Sequence, residues 1–150
     1  MLERHLHALH LEAPGLEEPA ATRERVRDAF PRGATRRMTQ LGLLLGAVLE
    51  KISPTEDDTL VYASTYAESR ALEDYLASFP TPSPTLFQTS IHPSAVQQVL
   101  IARQQAVRNF FPHTGQAQLV AQATQTALLA PTAHTILCGG EERGDRKRDV

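Results

Sequence analysis

The chain has 150 residues, 41% hydrophobic and 21% charged, which suits one domain with a core of its own. Its formal net charge of −2, from 15 basic and 17 acidic residues, excludes an electrostatic drive towards nucleic acid or an anionic membrane. One cysteine, Cys138, excludes an internal disulfide, and no signal-peptide core or run approaching the roughly 20 apolar residues of a span is present, so a soluble cytoplasmic protein is expected.

Residues 1–34 read as a helical lead. Leu2, Leu6 and Leu9 lie near helical spacing until Pro14-Gly15, and a second helical piece is expected from Ala21 to Phe30. His5, His7 and His10 are tempting metal ligands, but positions five apart do not share a helix face and no acid or cysteine constellation joins them. They read as a solvated segment, and no metal is expected. The clearest helix is Thr35 to Ile52, where Met38, Leu41, Leu45, Val48, Leu49 and Ile52 recur at steps of three and four. Thr35 is its expected N-cap and Pro54 its stop. Gly42 and Gly46 are expected to let this helix pack closely on a sheet.

Thr59 to Ser64 is an apolar, β-branched run and reads as a buried strand. A helix from Glu68 to Ser78 follows, with Leu72, Tyr75, Leu76 and Phe79 on its inner side. The segment from Phe79 to Pro84 carries three prolines and reads as a stiff, extended connector. Ser94 to Gln105 is an expected helix packed through Ala95, Val96, Val99, Leu100 and Ala102. Ala106 to Phe111 is an expected strand, and Thr114 or Gly115 opens a helix to about Leu129. That helix is buried through Ala117, Val120, Ala123, Thr124, Ala127 and Leu128. His134 to Cys138 reads as a third strand, and residues 143–150 as a charged tail. Helices alternating with strands imply an α/β layer with a mostly parallel sheet.

Four landmarks appear in order. Arg36-Arg37-Met38 opens an apolar helix. The strand Leu60 to Ser64 runs into Thr65-Tyr66-Ala67-Glu68. Ser83-Pro84-Thr85, Phe87 and Ser90-Ile91-His92 form the third, and Ile136-Leu137-Cys138 followed by Gly139-Gly140-Glu141 the fourth. In order and spacing, residues 35–142 resemble the N-terminal domain of β-ketoacyl synthases, and more closely the short ketosynthase-like proteins of aryl-polyene pathways. The resemblance implies half of a thiolase-like fold. It also implies a role in fatty-acid- or polyketide-like biosynthesis. In the enzymes of that family a cysteine nucleophile stands two residues before a Thr-Gly pair, at a strand-to-helix turn. Here Pro112-His113-Thr114-Gly115 occupies that stretch, with Pro112 in the slot. The chain also ends where the half that supplies the decarboxylation residues would begin. The position reads as vestigial, and no catalytic residue is assigned.

Cys138 reads as a small packed hydrophobe, His92 as a structural hydrogen-bonder and His113 as a surface or interface residue. Ser64, Ser90 and Ser94 lack a nucleophile-elbow context, and Gly139-Gly140 lacks a phosphate-loop pattern, so no cofactor is expected. In the family, ketosynthases dimerise through the strand leading into the nucleophile turn, and some pair with a cysteine-less chain-length factor. The resemblance implies such a pairing here, through Ala106, Val107, Asn109, Phe110 and Phe111. The expected partner is a full-length β-ketoacyl synthase or a second copy, with acyl carrier protein as a further partner. The alternatives are a degenerate acyl-transferring enzyme using Cys138 or His113, or a stand-alone homodimer.

Overall fold

Strands and helices alternate along the computed structural model, which describes residues 3–115 and 117–142. The order is α1 (Pro19–Arg25), α2 (Gln40–Ile52), β1 (Thr59–Ser64), α3 (Ser69–Ala77), α4 (Pro84–Ser90), α5 (Ser94–Ala102), β2 (Asn109–Thr114), α6 (Leu119–Leu129) and β3 (Thr135–Gly139). The three strands form one parallel sheet in the order β2-β1-β3. The first crossover moves from β1 to one edge and the second passes back over β1 to the other edge. Right-handed crossovers in opposite directions place their helices on opposite faces. The central strand is thus covered on both sides, which explains its nearly unbroken burial and its run of apolar residues.

The core lies between the sheet and the α2–α5 layer. Leu60 and Tyr62 from β1 and Ile136 from β3 meet Leu43, Leu45 and Leu49 of α2 and Ala95, Val96 and Val99 of α5. Leu43 and Leu49 are fully buried, and each contributes about 2 kcal/mol by removal from water. The other face packs under α6 through Leu119 and Ala123. Val26 and Phe30, from the N-terminal lead, belong to the core as well. Arg103 holds them in place: its guanidinium lies 5.1 Å from the Phe30 ring centroid and donates to the carbonyls of Ala29 and Gly46, each at 2.8 Å.

Several expectations give way to local chemistry. Residues 3–18 form no helix, and Leu6 and Leu9 are exposed. That segment is tied instead by Arg4, whose guanidinium donates to the carbonyls of Ala130, Thr132 and Ala133. The second lead helix begins at Pro19, earlier than Ala21, because proline is pre-set for a first helical turn. Thr35 is not the N-cap of α2. Ala34–Arg37 makes a 3₁₀ turn, Met38 is extended, and the Thr39 hydroxyl accepts from the Gly42 N–H at 3.1 Å. Gly42 and Gly46 pack not on the sheet but on the Ala95 backbone of α5 and the Phe30 ring. A Cβ on Gly46 would stand 2.1 Å from that ring, so the ring needs the glycine.

On α3 the buried side chain is Ala71, whereas Leu72, Leu76 and Phe79 are exposed. The connector after α3 is not wholly extended, because Ser83 caps α4 through the Leu86 N–H and Pro84 takes its first turn. The helix expected to Gln105 ends at Ala102. The second strand is Asn109–Thr114 rather than Ala106 to Phe111. The next helix starts at Leu119 rather than Thr114 or Gly115, which turns Val120 to solvent at 77% exposure. The charged tail, residues 143–150, lies outside the described residues. No helix among the described residues is long and apolar enough to cross a membrane.

Candidate functional site

The three later landmarks, far apart in sequence, come together at the C-terminal end of β1. Ser64 closes the strand, and its hydroxyl donates to the Gly140 carbonyl at 2.6 Å and accepts from the Ala67 N–H at 2.8 Å. The Glu141 carboxylate accepts from the backbone N–H groups of Thr65 at 2.6 Å and Tyr66 at 2.8 Å. The turn from β1 into α3 is therefore held by the residue that follows Gly139-Gly140. Both glycines allow close approach, Gly139 to backbone and Gly140 to the end of a flexible side chain. A Cβ on Gly139 would meet the Ala63 carbonyl oxygen at 2.5 Å, and one on Gly140 would meet Leu41 Cδ1 at 2.6 Å.

Glu68 is the deepest charged side chain of this cluster, with none of its surface exposed. One carboxylate oxygen accepts from the Ala95 N–H at 3.0 Å, in the first turn of α5. The other lies 3.1 Å from His92 Nδ1. The carboxylate therefore caps α5 from another element and fixes the imidazole next to it, where the helix dipole favours negative charge. The His92 ring stacks on Tyr62 at 5.2 Å between centroids. Burial, reinforced by the Glu68 charge, pushes the Tyr62 hydroxyl well above its ordinary range. His92 Nε2 is buried with no hydrogen-bond partner among the described residues. The sequence marks Glu68 and His92 as parts of two separate landmarks, but nothing in it reports that they touch. An acid just past a buried strand, with a histidine at the head of the next apolar helix, was the available signal.

The remaining residues of the third landmark serve α4. Ser83 caps it and Pro84 opens it. Ser90 returns its hydroxyl to the Phe87 carbonyl, the Phe87 ring lies 5.4 Å from Tyr75, and Thr85 faces solvent.

The slot assigned to the nucleophile lies elsewhere. Pro112 is not at a strand-to-helix turn. It sits inside β2, opposite Tyr62 of β1, with His113 opposite Ala63 and Thr114 opposite Ser64. Gly115 follows with φ +145, and the next helix starts at Leu119, with Gln118 at the N-cap position in a left-handed conformation and no side-chain cap. The surviving helix N-terminus expected beside Thr114-Gly115 is thus displaced by several residues. Of the interface candidates, Val107 and Phe110 pack against the core, and Asn109 Nδ2 donates to Thr59 Oγ1 at 3.1 Å. Ala106 and Phe111 are exposed. Val107 and Ala106 precede the strand rather than belonging to it.

Cys138 pairs with Tyr62 on the other side of β1. Burial pushes its thiol up to about 12, which favours the protonated form at neutral pH. It borders a groove of about 720 Å³ between the N-terminal segment, α2 and β3, with Leu9, Leu44, Val48 and Leu137 among its walls. His5, His7 and His10 gather no ligand cluster among the described residues. The His7 ring instead meets His134 edge-on at 6.4 Å.

No protein-family model matches the sequence, and no curated protein matches it. Among solved structures, a chain of a ketosynthase in complex with its chain length factor from Xenorhabdus doucetiae shares its fold, with a TM-score of 0.58 and 19% sequence identity. The match covers 89% of this chain and 53% of that one, so this chain spans about half the length of the structure it resembles. The chain thus has a ketosynthase-like, partial thiolase α/β fold.

Proposed function

We propose that the chain is a non-catalytic, ketosynthase-like subunit that pairs with a full-length β-ketoacyl synthase through β2, in a chain-length-factor-like role in fatty-acid- or polyketide-like biosynthesis. The observation that carries this reading is Pro112 in the strand that should lead to the nucleophile. A condensing enzyme must hold its acyl group on an activated thiolate, and proline offers no nucleophile. Among the described residues β2 is also an edge strand, with its own Phe111 exposed, and an open strand edge is a ready template for another chain. The structural relative is itself a ketosynthase bound to a chain length factor, which supports the choice of partner. Acyl carrier protein would then meet the assembled pair, not this chain alone.

The test is affinity purification of the tagged chain from its native host, with mass spectrometry, in wild-type and Phe111→Asp forms. The reading expects a stoichiometric ketosynthase with the wild type and its loss with Phe111→Asp. A chain recovered without a ketosynthase, or a partner retained equally by both forms, contradicts it. Val107 and Phe110 are unsuitable probes, since both pack against the core and their aspartate variants would unfold the domain.

A further inference from the structure

The backbone of β2 says which kind of strand its open edge accepts. Thr59 donates its N–H to the His134 carbonyl, towards β3, at 3.2 Å. Because backbone groups alternate along a strand, Leu60, Tyr62 and Ser64 point theirs at β2. On β2 itself the Asn109 N–H reaches back to the Asp58 carbonyl at 3.5 Å, an acceptor it shares with Arg108 in the bend before the strand. With Thr59 paired to Asn109 and the register unbroken to Ser64 and Thr114, Asn109, Phe111 and His113 turn their backbone groups to β1. Phe110, Pro112 and Thr114 turn theirs to the open edge. Proline fits this position because its missing N–H is not needed by β1. The consequence falls on the outside, where the row of donors is interrupted in the middle.

We infer that Pro112 biases this edge against a second copy of the same chain and towards a strand of a different chain with an unbroken donor row. This rests on the reading that β2 is a pairing surface. In a twofold pairing each residue appears on both sides of the interface. Any antiparallel self-pairing that includes Pro112 therefore loses two hydrogen bonds, one for each copy, and leaves two partner carbonyls without donors. A different strand with no proline at the facing position meets the defect once. Each missing bond weakens association roughly fivefold, so self-pairing is disfavoured about 25-fold and mixed pairing about fivefold.

The chain alone supplies the graded test. Wild type with wild type carries two defects, wild type with Pro112→Thr carries one, and Pro112→Thr with itself carries none. Sedimentation velocity on labelled and unlabelled mixtures should give dissociation constants that tighten by roughly fivefold at each step. Amide hydrogen exchange should slow at Phe110 and Thr114 as dimers form. A second variant, Phe111→Ala with Pro112→Thr, keeps the donors and separates their effect from side-chain packing, because the Phe111 side chain is exposed. The monomer's circular dichroism spectrum should be unchanged, because the substituted nitrogen faces outward.

A wild type that is already a tight dimer with protected 110–114 amides overturns the inference. So does a Pro112→Thr form that associates no more strongly, or one that forms polymers rather than dimers, which would make Pro112 a general guard against aggregation. The outcomes separate from those of the purification. Graded dimerisation without a ketosynthase in the pull-down leaves the edge filter standing and removes the partner assignment; a captured ketosynthase with no gradation does the reverse.

Discussion

The two ends of the resemblance sit in different surroundings. At the C-terminal end of β1, Ser64, Glu68 and Glu141 are tied to backbone groups of neighbouring elements, His92 is held by the Glu68 carboxylate, and Gly139 and Gly140 allow the close contacts between them. At β2, the residues that would carry chemistry lie on an open edge, and Pro112 and Phe111 face solvent. The residues that make the chain look like a ketosynthase are those that hold the fold together. Their presence speaks for architecture, whereas the proposed lack of activity rests on the β2 stretch, where Pro112 stands. A polar network that is nearly satisfied also tolerates change poorly, whereas an exposed edge tolerates it in the monomer.

The largest break in this comparison should come from Gly139→Ala. Its Cβ would meet the Ala63 carbonyl, a backbone atom that moves only if β3 separates from β1. A loss of roughly 3 kcal/mol in urea unfolding, or failure to fold, is expected. A loss under 1 kcal/mol would mean the strands are not so closely held. Glu68→Ala comes next. It leaves the Ala95 N–H and His92 Nδ1 without their acceptor, at about 2 kcal/mol. Glu68→Gln, which keeps one acceptor oxygen, should lose less. Gly140→Ala should cost about 1 kcal/mol, because the atom it meets is the end of the flexible Leu41 side chain.

Cys138 sharpens the comparison through pH. Its thiol is raised by burial from about 9 to about 12, so the unfolded chain ionises first. The stability contributed by the neutral thiol is full below pH 9 and is lost as pH rises towards 12. Cys138→Ala should flatten that alkaline decline, as seen in urea midpoints between pH 8 and 10.5. Rapid alkylation of native Cys138 at pH 7.5, at the rate of a free thiol, would revive an acyl-transfer role. The smallest effect on monomer stability is expected from Phe111→Asp, within about 0.5 kcal/mol of wild type as for other exposed positions, although it should abolish partner capture.

Much of the layer was legible before any coordinates. An apolar, β-branched run placed β1 at its observed ends, because a strand buried almost throughout leaves a plain signature. β3 was placed within one residue by its short apolar run, although only Ile136 of it is buried. α2 and α5 were legible through apolar residues at helical spacing, such as Leu45 and Val99. Edges and caps were less so. β2 is exposed on one side and contains a proline, so its pattern could slide by three residues. Thr35 and Thr39 are equally good caps by residue type, and the choice is made by tertiary contacts such as the bond from Arg23 to the Thr35 carbonyl. The landmarks of the candidate site were visible, but their meeting at Glu68 was not. Contact between positions 68, 92 and 95 is a product of the fold.

The most direct test of the account is amide hydrogen exchange across β2, residues 109–114, in the isolated chain and in complex with the proposed ketosynthase partner. The account predicts that the outward-facing amides of Phe110 and Thr114 exchange quickly in the free chain and become protected in the complex, while Phe111 and His113, bonded to β1, stay protected in both. Protection confined to another face, with Phe110 and Thr114 still exchanging freely in the complex, would contradict pairing through this edge.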